Sequence, residues 1–205
     1  MAHHDLVAAI HREIAQRGWQ VRGEEYATYR HGFMLFGALT LTWQSTDEFA
    51  VALAFRHSND KQHAIRMVAG VNVFICDNMV LRGEEFLLFR KHTSGLDLEK
   101  EVAAALNNYQ TEALRLKQNI AWMKTRSIRE IEAKVWIHDI FRQRILPMRL
   151  FHAVSQTYFD KPKHAETHVP DTIWTLHNAF TTHMKSLPPN TLYSSTIKLG
   201  KLFGI

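Results

Sequence analysis

Near residue 95 the spacing of apolar residues changes from two to about 3.6, and this change constrains the fold more than any other feature of the chain. Before it, short runs of aromatic and β-branched residues alternate with polar ones, the signature of half-buried strands. Tyr26–Tyr29 and Phe33–Phe36 flank Arg30-His31-Gly32, which predicts a hairpin turn. Ala38–Trp43 and Phe49–Phe55 read as further strands, with a polar turn at Ser58-Asn59-Asp60-Lys61. Ala64–Ile75 reads as a strand that bends or bulges at Gly70, closed by turn formers at Cys76-Asp77-Asn78. Glu85–Arg90 is a last short strand. The connections are too short for helical crossovers, so the expected five to seven strands should pair antiparallel.

Helical spacing appears on both sides of this sheet. Leu6, Val7, Ile10 and Ile14 predict an N-terminal helix, with Asp5 as its cap and Gly18 at its end. After Gly95, the residues Leu98, Val102, Leu106, Tyr109, Ala113, Leu116, Ile120 and Met123 mark one face of a helix about 40 Å long. Ser127 followed by Glu130 predicts the start of a second helix, its apolar positions Ile128, Ile131, Val135 and Ile140. Pro147 marks a break before a helix from Met148 to Tyr158, and Pro170 should open another that runs through Met184. A final helix is expected from Thr191 to Phe203. The fold class is therefore α+β: an N-terminal helix, a twisted antiparallel sheet, a long helix and a helical C-terminal half. A single domain is expected over 1–205, β-rich through residue 95 and helical and basic from residue 96.

Charge and cysteine content narrow the setting. The net charge is +5, and all of the excess lies after residue 95, where fifteen basic residues face ten acidic ones. Such a surface can attract nucleic acid or another acidic partner. The single cysteine, Cys76, allows no intramolecular disulfide and suits a reducing compartment. No signal-peptide pattern or membrane-spanning apolar run is present, so a cytoplasmic location and no membrane partner are expected.

Three polar passages could carry chemistry: Arg56-His57-Ser58-Asn59-Asp60-Lys61, Gly70-Val-Asn-Val-Phe-Ile-Cys76-Asp77-Asn78 and Arg90-Lys91-His92-Thr93. Strand ends gather at the rims of an antiparallel sheet. These turns could therefore converge on a site containing Arg56, Asp60, Cys76, Asn78, Lys91 and His92. A Cys76–His92 nucleophile pair would require direct contact and a stabilised thiolate. Cys76 after Val73-Phe74-Ile75 reads more simply as a small buried apolar residue than as a nucleophile. Asp60 and Asp77 could hold a cation, although Asn59, Asp60, Asp77 and Asn78 are also ordinary turn formers. His164 and His168 have the spacing of a helical metal pair around Glu166, but they fall in a Pro-bounded connector. No metal or cofactor is expected, and His3 and His4 should lie at a solvated terminus. No phosphate-cradling glycine loop, nucleophile elbow or Cys-x-x-Cys pair is present.

These same passages bear a resemblance. Residues 54–93, with the Ser-Asn-Asp-Lys turn, the Gly-x-x-Val-Phe-Ile-Cys strand end and the Lys-His-Thr exit, resemble a family of phage- and plasmid-borne proteins known as domain of unknown function 932. Thr172-Ile-Trp-x-x-x-Asn178-Ala179 is similar to a weaker motif of that family. Asn59 stands where histidine would be familiar. The resemblance implies a mobile-element setting and no particular mechanism.

The basic residues suggest a surface for nucleic acid. Arg115, Lys117, Lys124, Arg126, Arg129 and Lys134 crowd the junction of the two central helices, followed by Arg142, Arg144 and Arg149. Trp136, Phe141 and Phe151 lie among them, placed either to stack on unpaired bases or to face the core. The leading expectation is a non-enzymatic phage or plasmid accessory protein that binds nucleic acid, single-stranded DNA included, through this helical face. A protein-binding effector, such as an inhibitor of host defence acting on a host or phage protein, is the second reading. An enzyme built on Arg56, Asp60, Asn78 and His92 is the third. The apolar stripe of the long helix could be buried within one chain or against a second copy.

Overall fold

In the computed structural model, residues 2–43, 49–73, 78–81, 87–93, 95–160 and 171–204 are described. Helix α1 (His3–Gln16) buries Leu6, Ala9, Ile10 and Ile14. Asp5 sits inside its first turn, where its carboxylate accepts from the Ala2 N–H at 2.6 Å, and the chain leaves through Gly18 at φ 69°. The strands follow as β1 (Val21–Tyr29), β2 (Met34–Leu41), β3 (Phe49–Ser58), β4 (Ile65–Val73), β5 (Asn78–Leu81) and β6 (Leu88–Arg90). All are paired antiparallel in the order β1-β2-β3-β4-β5, with β6 also on β4. Among the described residues no helix intervenes between them. The predicted β1–β2 turn is present, with Arg30, His31 and Gly32 all at positive φ.

Two of the predicted strand features differ. β4 runs through Gly70 in unbroken register with β3. Gly70 marks a change of partner instead: β6 covers Ile65–Met67, and β5 takes over from Gly70 to Val73. Asn78, expected in a turn, is the first residue of β5, because pairing with Val73 of β4 outweighs the weak strand propensity of asparagine.

Central strand β3 is buried from Ala50 to Ser58 and so has two dry faces. Val51, Leu53 and Phe55 join the larger core beneath α1 and α2 (Leu98–Thr125), whereas Ala54 joins Met34, Phe36, Val68 and Tyr193 on the opposite face. That face is covered by α6 (Pro189–Phe203), which reaches both β1 and β5. Fifteen residues of helix are about 22 Å long, enough to cross a sheet of five strands spaced about 4.8 Å apart.

Behind α2 lie α3 (Glu130–Arg142), a short 3-10 turn at Met148–Leu150, α4 (Phe151–Phe159) and α5 (Ile173–Met184). The predicted start of α3 at Ser127 is displaced. Ser127 bridges to Thr172, Ile128 N–H donates to Asp171 O at 3.0 Å, and Ile173 N–H donates to Arg126 O at 2.9 Å. With this backbone engaged, the helix begins after Arg129, whose N–H is capped by Glu132 at 2.9 Å. Its buried face is Ala133, Ile137, Ile140 and Phe141, while Ile131 and Val135 are 60% and 52% exposed. Among the described residues no helix is long and apolar enough to cross a membrane.

Candidate functional site

Two of the three polar passages meet at one end of the sheet. Antiparallel pairing places the β1–β2 turn, the β3–β4 turn and the exit of β6 together there, since Met34 pairs with Ser58 and Ile65 pairs with Arg90. The third passage does not join them. Val73 pairs with Asn78 at the other end of β4, eight residues and about 26 Å from Ile65, so Asn78 is remote from both Arg56 and His92. These two turn to opposite faces, Arg56 toward Tyr193 and His92 toward His57. Cys76 and Asp77 lie outside the described residues, as do His164, Glu166 and His168.

His57 occupies the centre of this end and is fully buried. Its Nδ1 lies 2.7 Å from Nδ1 of His3, whose Nε2 lies 2.9 Å from the Gly32 carbonyl oxygen. A carbonyl can only accept, so Nε2 of His3 carries a proton, and with both rings neutral the Nδ1–H of His57 donates to Nδ1 of His3. Nε2 of His57 is then a bare acceptor, buried and without a hydrogen-bond partner. His3 and His92 stand edge-on to the His57 ring at 4.8 Å and 5.0 Å between centroids. Burial, reinforced by these neighbours, pushes the His57 imidazole down to about 4. Burial also lowers His92, partly opposed by a hydrogen bond to the His63 backbone. His3 is thus a packed residue of α1 rather than part of a solvated terminus. Nothing in its local sequence signals a partner 54 positions away.

Asp60 belongs to the turn. Its carboxylate accepts from the Ser58 hydroxyl and, at 3.1 Å, from the Gln62 N–H, with Arg30 at 4.0 Å. The Ser58 hydrogen bond, then that of Gln62, holds this carboxyl below its ordinary range. This is an Asx-type turn, and it ties down the oxygens a catalytic base would need. Among the described residues no group of three His, Cys, Asp or Glu side chains is arranged to hold a metal ion. Lys91 is exposed beside His92.

Exposed aromatics and cations share this same end. Tyr29, Phe33 and Phe89 are 44%, 51% and 44% exposed, and Arg30, Lys61, Arg66, Arg90 and Lys91 lie among them. The Arg66 guanidinium sits 4.9 Å from the Phe89 ring centroid, and Arg90 Nε is 2.8 Å from Glu101. Across the ladder from Arg66 is Arg56, directly opposite and only 6% exposed. On the same sheet face as Arg56, a cleft of about 440 Å³ opens between β1–β3 and the α5–α6 corner, lined by Phe36, Ala54, Leu187, Leu192 and Tyr193. Sequence reasoning missed this cleft, because its walls come from segments more than 130 residues apart.

The helical cations are arranged differently from the expectation. Arg115 pairs with Glu112 at 3.2 Å, Arg129 with Glu132 at 2.8 Å, Lys134 with Glu130 at 2.5 Å and Arg142 with Asp139 at 3.1 Å. Half of the eight expected phosphate-binding residues are thus balanced by an acid one turn away. Lys117 and Lys124 also make interactions, Lys124 lying 5.8 Å from the Trp174 ring, whereas Arg126 and Arg144 are exposed. Of the three aromatics among them, Phe141 is buried and Trp136 packs on Phe203, leaving Phe151 exposed.

The model of a family described as a domain of unknown function (DUF932) matches residues 3–189. No curated protein and no solved structure matches the chain.

Proposed function

Because the chain belongs to the DUF932 family, a domain of unknown function, we propose its role from its own surface: it binds single-stranded nucleic acid at the aromatic and basic end of its sheet. The observation that carries this reading is the interleaving of exposed Tyr29, Phe33 and Phe89 with Arg30, Lys61, Arg66 and Lys91. Stacking platforms beside phosphate-pairing cations are what an unpaired strand requires, and every base offers a face to stack. The helical face of the sequence reading becomes secondary, since short-range acids offset half of its charge. An accessory protein of a phage or plasmid that coats exposed strands is the corresponding role.

Fluorescence anisotropy with a labelled oligonucleotide of mixed sequence tests this. Wild type is expected to bind at low salt, with a log–log salt slope of roughly −2 to −3, corresponding to three or four phosphate contacts. Phe33→Ala and Phe89→Ala should each weaken binding by about 1–3 kcal/mol, and Arg129→Gln with Lys134→Gln should leave it nearly unchanged. Absence of binding at low salt would remove the reading. Loss confined to the α3 variants would return the interface to the helices. A protein-binding effector remains the second reading, favoured by the exposed Ile131–Val135 stripe.

A further inference from the structure

Among the described residues no acidic side chain pairs with Arg56. It lies on β3 with its side chain on the α6 face, where its guanidinium carbon is 5.6 Å from the centroid of the Tyr193 ring. It is 6% exposed, and its Nε is buried without a hydrogen-bond partner. The residue directly opposite on β4 is Arg66, a second guanidinium on the same face. Like charges directly opposite in a ladder repel, and a buried cation is tolerated when something anionic pairs with it. The Tyr193 hydroxyl beside them is likewise buried without a partner. The arrangement costs stability, and no described side chain offers Arg56 an acceptor.

We propose that Arg56, Arg66 and the Tyr193 hydroxyl form a binding site for a phosphate group. Guanidinium forks match the tetrahedral oxyanion bidentately, and a phenolic O–H adds a third donor. Arg56 closes the inner side, while Arg66 stands nearer to solvent beside the exposed ring of Phe89. A strand whose phosphate enters this site would bring a base to Phe89. The assignment of the phosphate to a nucleic-acid backbone rests on the function proposed above; the anion site itself does not.

The test uses the full chain in two assays. Thermal unfolding is followed as inorganic phosphate replaces chloride at constant ionic strength, and oligonucleotide affinity is measured in phosphate-free buffer. Wild type is expected to melt several degrees higher in low-millimolar phosphate. Arg56→Met, which keeps the stem and removes the charge, should abolish that rise. Tyr193→Phe, which keeps the ring, should shift the phosphate midpoint by about tenfold, the effect of one lost hydrogen bond, and remains informative should Arg56→Met fold poorly. If both variants also weaken oligonucleotide binding, the site takes a backbone phosphate. If they lose the phosphate response alone, the site takes a free phosphate or phosphomonoester. A wild type indifferent to phosphate, or variants that retain its full response, would overturn the site whatever the oligonucleotide does. A phosphate response without oligonucleotide binding would leave the site standing and defeat the function proposed above.

Discussion

Gly37→Ala is expected to lower the stability of the protein by about 3 kcal/mol, the upper part of the usual range for overpacking. Gly37 pairs with Phe55 across the β2–β3 ladder. A β-carbon built on Gly37 would lie 2.2 Å from Cζ of the Phe55 ring and 2.6 Å and 2.7 Å from its two Cε atoms. The ring is completely buried, with Tyr26 edge-on at 6.3 Å, so it has little room to swing away. Glycine is needed here for the space it leaves and not for a special backbone angle. Phe55→Leu should relieve the clash, so the double variant should lose less than the sum of the two single losses by at least about 1 kcal/mol. Urea melts with unchanged slopes would measure this. Additive losses, or a single loss below about 0.5 kcal/mol, would show that the ring does not cover Gly37.

Acid should unfold this protein through two buried histidines. His57 is pushed down to about 4 and His177 to about 3, both chiefly by burial. His177 is stacked on Trp174 at 5.7 Å and edge-on to Phe203 at 5.0 Å. Both are neutral in the folded state, while in the unfolded chain each returns to an ordinary value near 6.5. The unfolded state therefore binds protons first, and stability is complete above about pH 6.5 and falls as pH drops toward 4. A tenfold loss of proton affinity on folding is worth about 1.4 kcal/mol, so each histidine can remove on the order of 3 kcal/mol by pH 4. Together these losses rival the whole stability of a typical domain. Urea unfolding followed by circular dichroism at pH 7.5, 6 and 5 should show a steadily falling midpoint. His177→Leu should remove about half of that dependence. A midpoint independent of pH across this range would mean that neither imidazole is held neutral by the fold.

The helices and most strands were legible because their signals are local. The apolar stripe from Leu98 to Met123 predicts α2, which runs from Leu98 to Thr125 with the Asp97 carboxylate accepting from Lys100 N–H at 3.1 Å. The apolar run from Phe49 to Phe55 predicts β3, although the strand continues to Ser58. Failures came where pairing with a distant segment outweighed local preference. Asn78 looks like a turn residue, yet it is held in β5 by Val73. Ser127 looks like a cap, yet its backbone is committed to Thr172. Ile131 and Val135 have helical spacing, but the neighbouring helices cover the Ala133–Ile137 face instead. Arg56, Asp60, Lys91 and His92 were singled out from sequence. Their segments end at one end of the sheet, but Arg56 turns to the α6 face beside Tyr193 while His92 packs against His57 on the α1 face. The role of His3, and the opposition of Arg56 to Arg66, were not legible.

By itself the sequence determined the kinds of element and the division between a sheet and the helices behind it, because periodicity and turn chemistry act over a few neighbouring residues. Only the tertiary structure decided which side chains meet: His3 with His57, Arg56 with Arg66, and α6 against the second face of the sheet. Those contacts depend on strand register and on the packing of segments far apart in the chain, and no short-range pattern encodes either.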